Sequence, residues 1–451
     1  MTKPLSEREI VLGILLEVTE QDIYSHIALG NVLNKYQYLD KKERAFITRV
    51  TEGTLEHMVE IDYILDQFSR VKVKKMKPVI RNILRSAVYQ LKYMDTVPDS
   101  AVCNESVKLA AKKGFGTLKG FVNGVLRNTA RHLGEVAYPR DPLQELSVRY
   151  SMPEWILRHW LAAYDRGTVE AMLKEFQKEK PVTIRCNASM IQPKELKKRL
   201  EGEGATVQEH PYLPYGFYIS GYDHLGELSC FQEGLFTVQD ISSMLVGEIA
   251  SPKKGDYIID VCAAPGGKAL HLADKLEGTG YVEARDLSAY KVALIEDNLS
   301  RMNMKNVAAL TWDACVLDEA SVGKADIVIA DLPCSGLGVL GKKTDLKYRM
   351  TEAQAGKLAI LQQKILDVVW RYVKPGGMLI YSTCTVHAPE NQENVRWFLE
   401  SHPYFCLADI GKKLYGALKE EAEVNGYIQL LPGIHESDGF FIAGFRRKTC
   451  P

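Results

Sequence analysis

Several absences narrow the reading of this 451-residue chain before any motif is considered. No uncharged stretch reaches the roughly 18 apolar residues of a membrane span, and the opening MTKPLSEREI lacks the apolar core of a signal peptide, so a cytoplasmic protein is expected. The nine cysteines are odd in number, widely spaced and free of any CxxC pair, which disfavours a disulfide framework or a zinc ribbon; no metal is expected. Net charge is absent too, with 57 basic against 57 acidic side chains, but the balance is not local. Residues 1–139 carry 21 basic and 16 acidic side chains and the remainder 36 and 41, a division of +5 and −5. Hydrophobic residues at 46% and charged residues at 25% exclude collagen-like or wholly disordered chains, and the length suggests about two to four domains.

The first 139 residues read as an all-α domain. Ile10, Val11, Ile14, Leu15 and Val18 recur at helical spacing, as do Ile80, Ile83, Leu84, Ala87 and Leu91. Between Lys72 and Arg85 stand Lys72, Lys74, Lys75, Lys77, Arg81 and Arg85 with no acidic residue. Such a cluster is either a solvated helix face or, if it forms one continuous surface, a phosphate-binding one. Asn123, Arg127 and Arg131 recur every four residues and share a helix face, either to meet RNA or to brace the domain internally. A break at Tyr138–Pro142 marks the first boundary. Residues 140–235 fit a small α/β subdomain, with helical stretches at 155–160 and 193–201, a strand-like VTIRC at 182–186 and a Tyr/Pro/Gly-rich stretch at 211–222. From 236 to 451 short β-rich runs (YIIDV, YVEARD, VAALTWD, DIVIAD, MLIYST) alternate with helical segments, which predicts a parallel sheet with crossover helices. Ligands of such sheets bind beyond the carboxyl ends of the strands.

The residues at those ends are chemically distinctive. Cys262, Ala263, Ala264, Pro265, Gly266, Gly267 and Lys268 form a small-residue turn that lets backbone approach a ligand closely. Asp286, at the end of the next strand, can accept hydrogen bonds from ribose hydroxyls. This suits a nucleoside cofactor, and because AAPGGK does not supply the GxGxxG spacing, NAD is the weaker candidate. Asp313 after the third run can equally be a helix cap. Cys334, in Asp331-Leu332-Pro333-Cys334, and Cys384, in Ser382-Thr383-Cys384-Thr385, end the fourth and fifth runs. Either alone reads as a small buried hydrophobe, but two thiols at neighbouring strand ends beside a nucleoside site suit addition to an electron-poor ring carbon, with Asp331 able to hydrogen-bond the ring.

DVCAAPGGK, DLPCSGLG and YSTCT resemble, in order and approximate spacing, the motifs of S-adenosylmethionine-dependent RNA cytosine-5 methyltransferases. FTVQDISSM at 236–244 and SDGFFIA at 437–443 are similar to that family's flanking segments, FVNGVLRN at 121–128 to the signature of NusB-type RNA-binding domains, and YSMPEW with IRCN to the connecting region of the Sun/RsmB-type enzymes. The resemblance spans almost the whole chain. It implies a NusB-like helical domain, an α/β connecting subdomain and a Rossmann-like catalytic domain that methylates carbon 5 of a cytosine in 16S ribosomal RNA, the one numbered 967 in the family's usual nucleotide numbering. The implied cofactor is S-adenosyl-L-methionine, bound by residues 262–268, Asp286, Asp313 and Asp331. Cys384 is the implied nucleophile, Cys334 assists adduct breakdown, and Asp331 faces the base. Lys72, Lys74, Lys75, Lys77, Arg81, Asn123, Arg127 and Arg131 are the expected RNA contacts, on RNA alone or in an early small-subunit intermediate, and a monomer is expected. The chain departs from the family pattern at Lys291 and Leu332, where Arg and Ala are common, and at Gly341–Lys343, which replaces a more Arg-rich run. Rival readings are methylation of another RNA, a catalytically silent RNA-binding assembly factor, and a nucleotide-dependent oxidoreductase.

Overall fold

A computed structural model describes residues 5–36 and 39–449; Cys450 and the first four residues of the opening segment lie outside them. The chain folds into two compact units, one formed by residues up to Gln177 with Leu340–Met350, the other by Lys178–Val339 with Thr351 onward.

The first unit is helical, as its periodicity predicts. Capping boxes at Ser6/Glu9 and Asp40/Glu43 start the helices Glu7–Glu20 and Lys41–Glu56. In the helix Pro78–Tyr93, Ile80, Ile83, Leu84, Ala87 and Val88 line one buried stripe and join Ile14, Leu15, Ile61 and Leu126 in a single core. The unit continues past residue 139 through helices Pro142–Arg149, Glu154–Ala163 and Arg166–Phe176. It also includes residues 340–350, which follow the DLPCSGLG motif in sequence. There the buried Asp345 carboxylate accepts from the Ser25 amide at 3.1 Å and its hydroxyl at 2.6 Å. Lys347 Nζ and the Tyr348 hydroxyl donate to the Glu56 carbonyl at 2.9 and 3.1 Å.

The second unit contains two sheets. Strands β1 (Val182–Cys186), β2 (Thr206–Glu209), β3 (Gly216–Ser220) and β4 (Phe236–Val238) form an antiparallel sheet in the order β2-β3-β1-β4. The Tyr/Pro/Gly-rich stretch thus supplies a strand, and Phe236–Val238, which opens the segment expected to be catalytic, pairs with β1. The larger sheet comprises β5 (Tyr257–Asp260), β6 (Tyr281–Asp286), β7 (Val307–Thr311), β8 (Ala325–Asp331), β9 (Val373–Thr383), β10 (Phe405–Leu407), β11 (Tyr427–Leu430) and β12 (Phe440–Arg447). Its order is β10-β12-β9-β8-β5-β6-β7, with β11 also on β12; β5 to β9 run parallel and the β12 pairings are antiparallel. All five predicted runs are strands of the parallel part. Both faces are covered, so alternate residues of one strand enter different cores. Ile258, Ile327, Ile329 and Ile380 pack on one side, and Ile259, Val328, Ala330 and Leu379 on the other. This is a Rossmann-like sheet, and the chain runs from β5 outward through β6 and β7 before returning to β8 on the other side. The carboxyl ends of β5 and β8 therefore flank the switch point at which such sheets bind ligands.

Candidate functional site

Each strand of the parallel set delivers one group to that edge. Beyond β5, Gly266 adopts φ +106°, a conformation side-chain-bearing residues rarely take, and its amide closes the turn on the Ala263 carbonyl at 2.6 Å. Asn298 Nδ2 donates to the Pro265 carbonyl at 3.0 Å and braces the turn from behind. Asp286 at the end of β6 is buried; its carboxylate accepts from the Ala264 and Leu287 amides at 3.0 and 2.8 Å and pairs with Lys291 at 3.2 Å. The glycine turn and Asp286 thus form one construction. Lys291, the expected departure from Arg, retains a cation here. Asp313 is exposed and accepts from the Cys315 amide at 2.9 Å, the turn-capping bond its sequence position allowed.

At β8 and β9, Asp331 pairs with Lys268 at 2.7 Å and accepts from the Ser382 hydroxyl at 2.8 Å. Burial works to lower the Lys268 pKa, but Asp331 holds it above its ordinary value. Lys268 also lies over the Phe440 ring, 5.2 Å from its centroid. Cys334 and Cys384 meet with their sulfurs 3.1 Å apart. The hydrogen bond to Cys384, reinforced by burial, pushes the Cys334 thiol well up, so the two sulfurs share one proton-holding contact. Cys262 is displaced upward by burial and serves as a small apolar filler rather than a nucleophile.

Sequence reasoning overlooked four residues. Asp260 ends β5 fully buried, and no side chain donates to its carboxylate, which has the Cys262 backbone amide beside it. Burial, aided by Asp331, raises its pKa to about 7. Its position, a carboxylate at a strand's carboxyl end, is the signal that singled out Asp286 and Asp331. Gly338 and Gly439 touch backbone to backbone. The Gly338 amide donates to the Cys384 carbonyl at 3.0 Å, and the Gly439 amide to the Gly338 carbonyl at 2.8 Å. Glu390, fully buried, accepts from the Ser335 amide at 2.8 Å beside Cys334.

In the helical unit, Lys72, Lys74, Lys75 and Lys77 are exposed, whereas Arg81 pairs with Glu20 and Arg85 is buried against Asp62. Arg127 and Arg131 are on the helix Lys119–His132, and Arg127 Nε donates to Asn123 Oδ1 at 2.9 Å, so these three occupy one face. Among the described residues, no helix is long and apolar enough to cross a membrane and no group of His, Cys, Asp and Glu could hold a metal ion.

Three family models match successive parts of the chain. Residues 248–446 match the model of the 16S rRNA methyltransferase RsmB/F family, residues 5–131 the NusB family, and residues 152–222 a ferredoxin-like domain of RsmF/B-like methyltransferases. A solved methyltransferase homologue from Pyrococcus horikoshii is 25% identical with a TM-score of 0.58 over 68% of this chain and all of that one. The ribosomal RNA small subunit methyltransferase B of Cronobacter sakazakii is 30% identical over 97% of this chain and 98% of its own. The probable ribosomal RNA small subunit methyltransferase B of Bacillus subtilis is 33% identical over 99% of this chain and its entire length. With relatives matched from end to end and the site motifs inside the matched region, the chain belongs to the RsmB/F family of 16S rRNA methyltransferases.

Proposed function

We propose that this protein transfers a methyl group from S-adenosylmethionine to carbon 5 of a cytosine in 16S ribosomal RNA, cytosine 967 in the family's usual numbering, through a covalent adduct of Cys384. The observation that carries the reading is the contact of two thiols, 3.1 Å apart, beside the Asp331–Lys268 pair. Residues 262–268 and Asp286 fit the cofactor. The turn presents backbone rather than side chains, Asp286 offers acceptors for ribose hydroxyls, and Asp260 brings a buried carboxylate that no side chain donates to, at a site that would receive a cation. Asp313 is assigned to the adenine amino group. When bound, the cofactor supplies an electrophilic methyl on a sulfonium.

Carbon 5 of cytosine is a poor nucleophile. The Cys384 thiolate would form a bond to carbon 6, the displaced π electrons would make carbon 5 enamine-like, and carbon 5 would take the methyl as the methyl–sulfonium bond breaks and leaves a neutral thioether. Transfer of the carbon 5 proton to solvent water lets that bonding pair re-form the ring double bond and break the carbon–sulfur bond, restoring the aromatic base and the Cys384 thiolate. Asp331 faces the base as charge develops on it, and Cys334, whose sulfur touches that of Cys384, assists breakdown of the adduct. Because attack comes from above the ring, the target nucleotide must be unstacked. Lys72, Lys74, Lys75, Lys77 and Arg81, with Asn123, Arg127 and Arg131, are assigned to capture of the folded RNA by phosphate neutralisation; Arg81 contributes least, being already paired with Glu20.

The test is methyl incorporation from labelled S-adenosylmethionine into unmodified ribosomal RNA, with the product base mapped. Cys384→Ala should abolish both methylation and covalent trapping, while Cys334→Ala should accumulate the enzyme–RNA adduct. The reverse pattern would exchange the two roles. A wild-type protein that binds the RNA without modifying it would favour the silent assembly factor.

A further inference from the structure

The two thiols sit on separate turns, so something must fix their spacing. Two adjacent buried side chains, Glu390 and Asn391, reach both turns. The Glu390 carboxylate accepts from the Ser335 amide at 2.8 Å and from the Ser335 hydroxyl. It accepts from Gln362 Nε2 at 2.9 Å and lies 3.0 Å from His387 Nδ1. Gln362 Nε2 also donates to the Pro333 carbonyl at 2.9 Å, so the peptide groups on both sides of Cys334 are held by the Gln362–Glu390 pair. Asn391 holds the two neighbours of Cys384, one by its side chain and one by its carbonyl. Its Oδ1 accepts from the Thr383 hydroxyl at 2.6 Å, and its Nδ2 donates to the Thr385 carbonyl at 3.0 Å. The two clamps are joined, because Ser335 Oγ and Thr385 Oγ1 are 2.7 Å apart. The Ser335 hydrogen is committed to Glu390, so Thr385 donates to Ser335.

We propose that Glu390 and Asn391 are positioning residues that set the distance between the two reacting thiols, Glu390 acting through Cys334 on adduct release and Asn391 acting through Cys384 on adduct formation. This inference rests on the function proposed above. Every group facing the Glu390 carboxylate presents, or can present, a hydrogen to it. Glu390→Gln preserves size but turns a donor against those donors, releasing the Cys334 turn without opening a cavity. Asn391→Ala removes the acceptor of the Thr383 hydroxyl and one of the two side-chain donors to the Thr385 carbonyl, loosening the residues on either side of Cys384.

The experiment uses the full-length enzyme and single-turnover kinetics on target RNA, separating adduct formation from release. Glu390→Gln should slow release by at least about tenfold, consistent with the cost of misplacing a reacting group by a fraction of an ångström. RNA KM should stay within about threefold, and in a Cys334→Ala background Glu390→Gln should change adduct formation by no more than about threefold, since its route is already cut. Asn391→Ala should slow adduct formation at least about tenfold in both backgrounds. Should Glu390→Gln fail to fold, Ser335→Ala removes the bridge between the clamps and should show the same release defect. Losses that multiply in the Cys334→Ala background, or release at the wild-type rate, would overturn the proposal. Methylation by Cys384→Ala would instead overturn the underlying reading, so the two failures are distinguishable.

Discussion

Gly338→Ala separates geometry from stability at this site. A Cβ built on Gly338 would lie 1.9 Å from the Gly439 carbonyl oxygen, against about 3.3 Å for a close carbon–oxygen contact, so the two segments must part by roughly 1.4 Å. Gly338 has no positive φ, so the substitution brings no backbone penalty of its own. Overpacking of this kind costs about 1 to 3 kcal/mol, and a unit of this size loses roughly 2 to 4 °C of Tm per kcal/mol, so the variant should melt about 4 to 8 °C lower for a cost near 2 kcal/mol and be folded at assay temperature. Catalysis should suffer far more. Gly338 bonds both the Cys384 carbonyl and the Gly439 amide, and a displacement of about 1 Å of a reacting group can cost on the order of a hundredfold in rate. The assay is single-turnover methylation beside a thermal melt, with Gly356→Ala, whose Cβ meets nothing within 4 Å, as the control. A Gly338→Ala enzyme within threefold of wild-type activity would refute the argument that this glycine contact sets the thiol geometry.

Asp260 titrates near pH 7 rather than in the ordinary carboxylate range, so its contribution to stability is full only below about pH 4 and is lost as pH rises through 7. Asp260→Asn should therefore stabilise the cofactor-free protein by a few kcal/mol at pH 8, with more than half of that gain gone at pH 5; a pH-independent difference in thermal melts would refute this. Asp286→Ala should weaken S-adenosylmethionine binding by about 1 to 3 kcal/mol in calorimetry without altering RNA binding, and unchanged cofactor affinity in the folded variant would remove its ribose role. Replacing Arg127 and Arg131 together with Ala should reduce the slope of log affinity for RNA against log salt by about 1.4 to 1.8, while an unchanged slope would place the phosphate contacts elsewhere.

The parallel sheet was legible because its strands read as short β-rich runs alternating with helical segments, each followed by the group it delivers. YVEARD at 281–286 became β6 without adjustment. The small sheet was harder. Thr206–Glu209 has only Val207 buried, and Gly216–Ser220 lies in a Tyr/Pro/Gly-rich stretch that reads as loop. The thiol pair was visible as two motifs, but its 3.1 Å contact depends on which strands adjoin, a tertiary fact. Glu390 and Asn391 had no local signal, and Gly338, although it closes DLPCSGLG, showed no sign of its role, since each matters through a partner distant in sequence or through a backbone approach. Of the basic cluster, sequence could not tell that Arg85 is spent on Asp62 while four lysines remain exposed.

The inclusion of residues 340–350 in the helical unit means that this unit is not an interchangeable part. The chain crosses between the units after 177, after 339 and after 350, so no single cut frees either one. A fragment ending at 177 would leave the Ser25 amide and the Glu56 carbonyl without Asp345, Lys347 and Tyr348, and a fragment beginning at 178 would carry those three side chains to nowhere. Grafting another RNA-binding module onto the catalytic unit would require re-cutting the loop after the DLPCSGLG motif to match the new module. Exchange of the helical unit must therefore alter sequence within a few residues of Cys334, which ties the inheritance of that unit to that of the thiol motif.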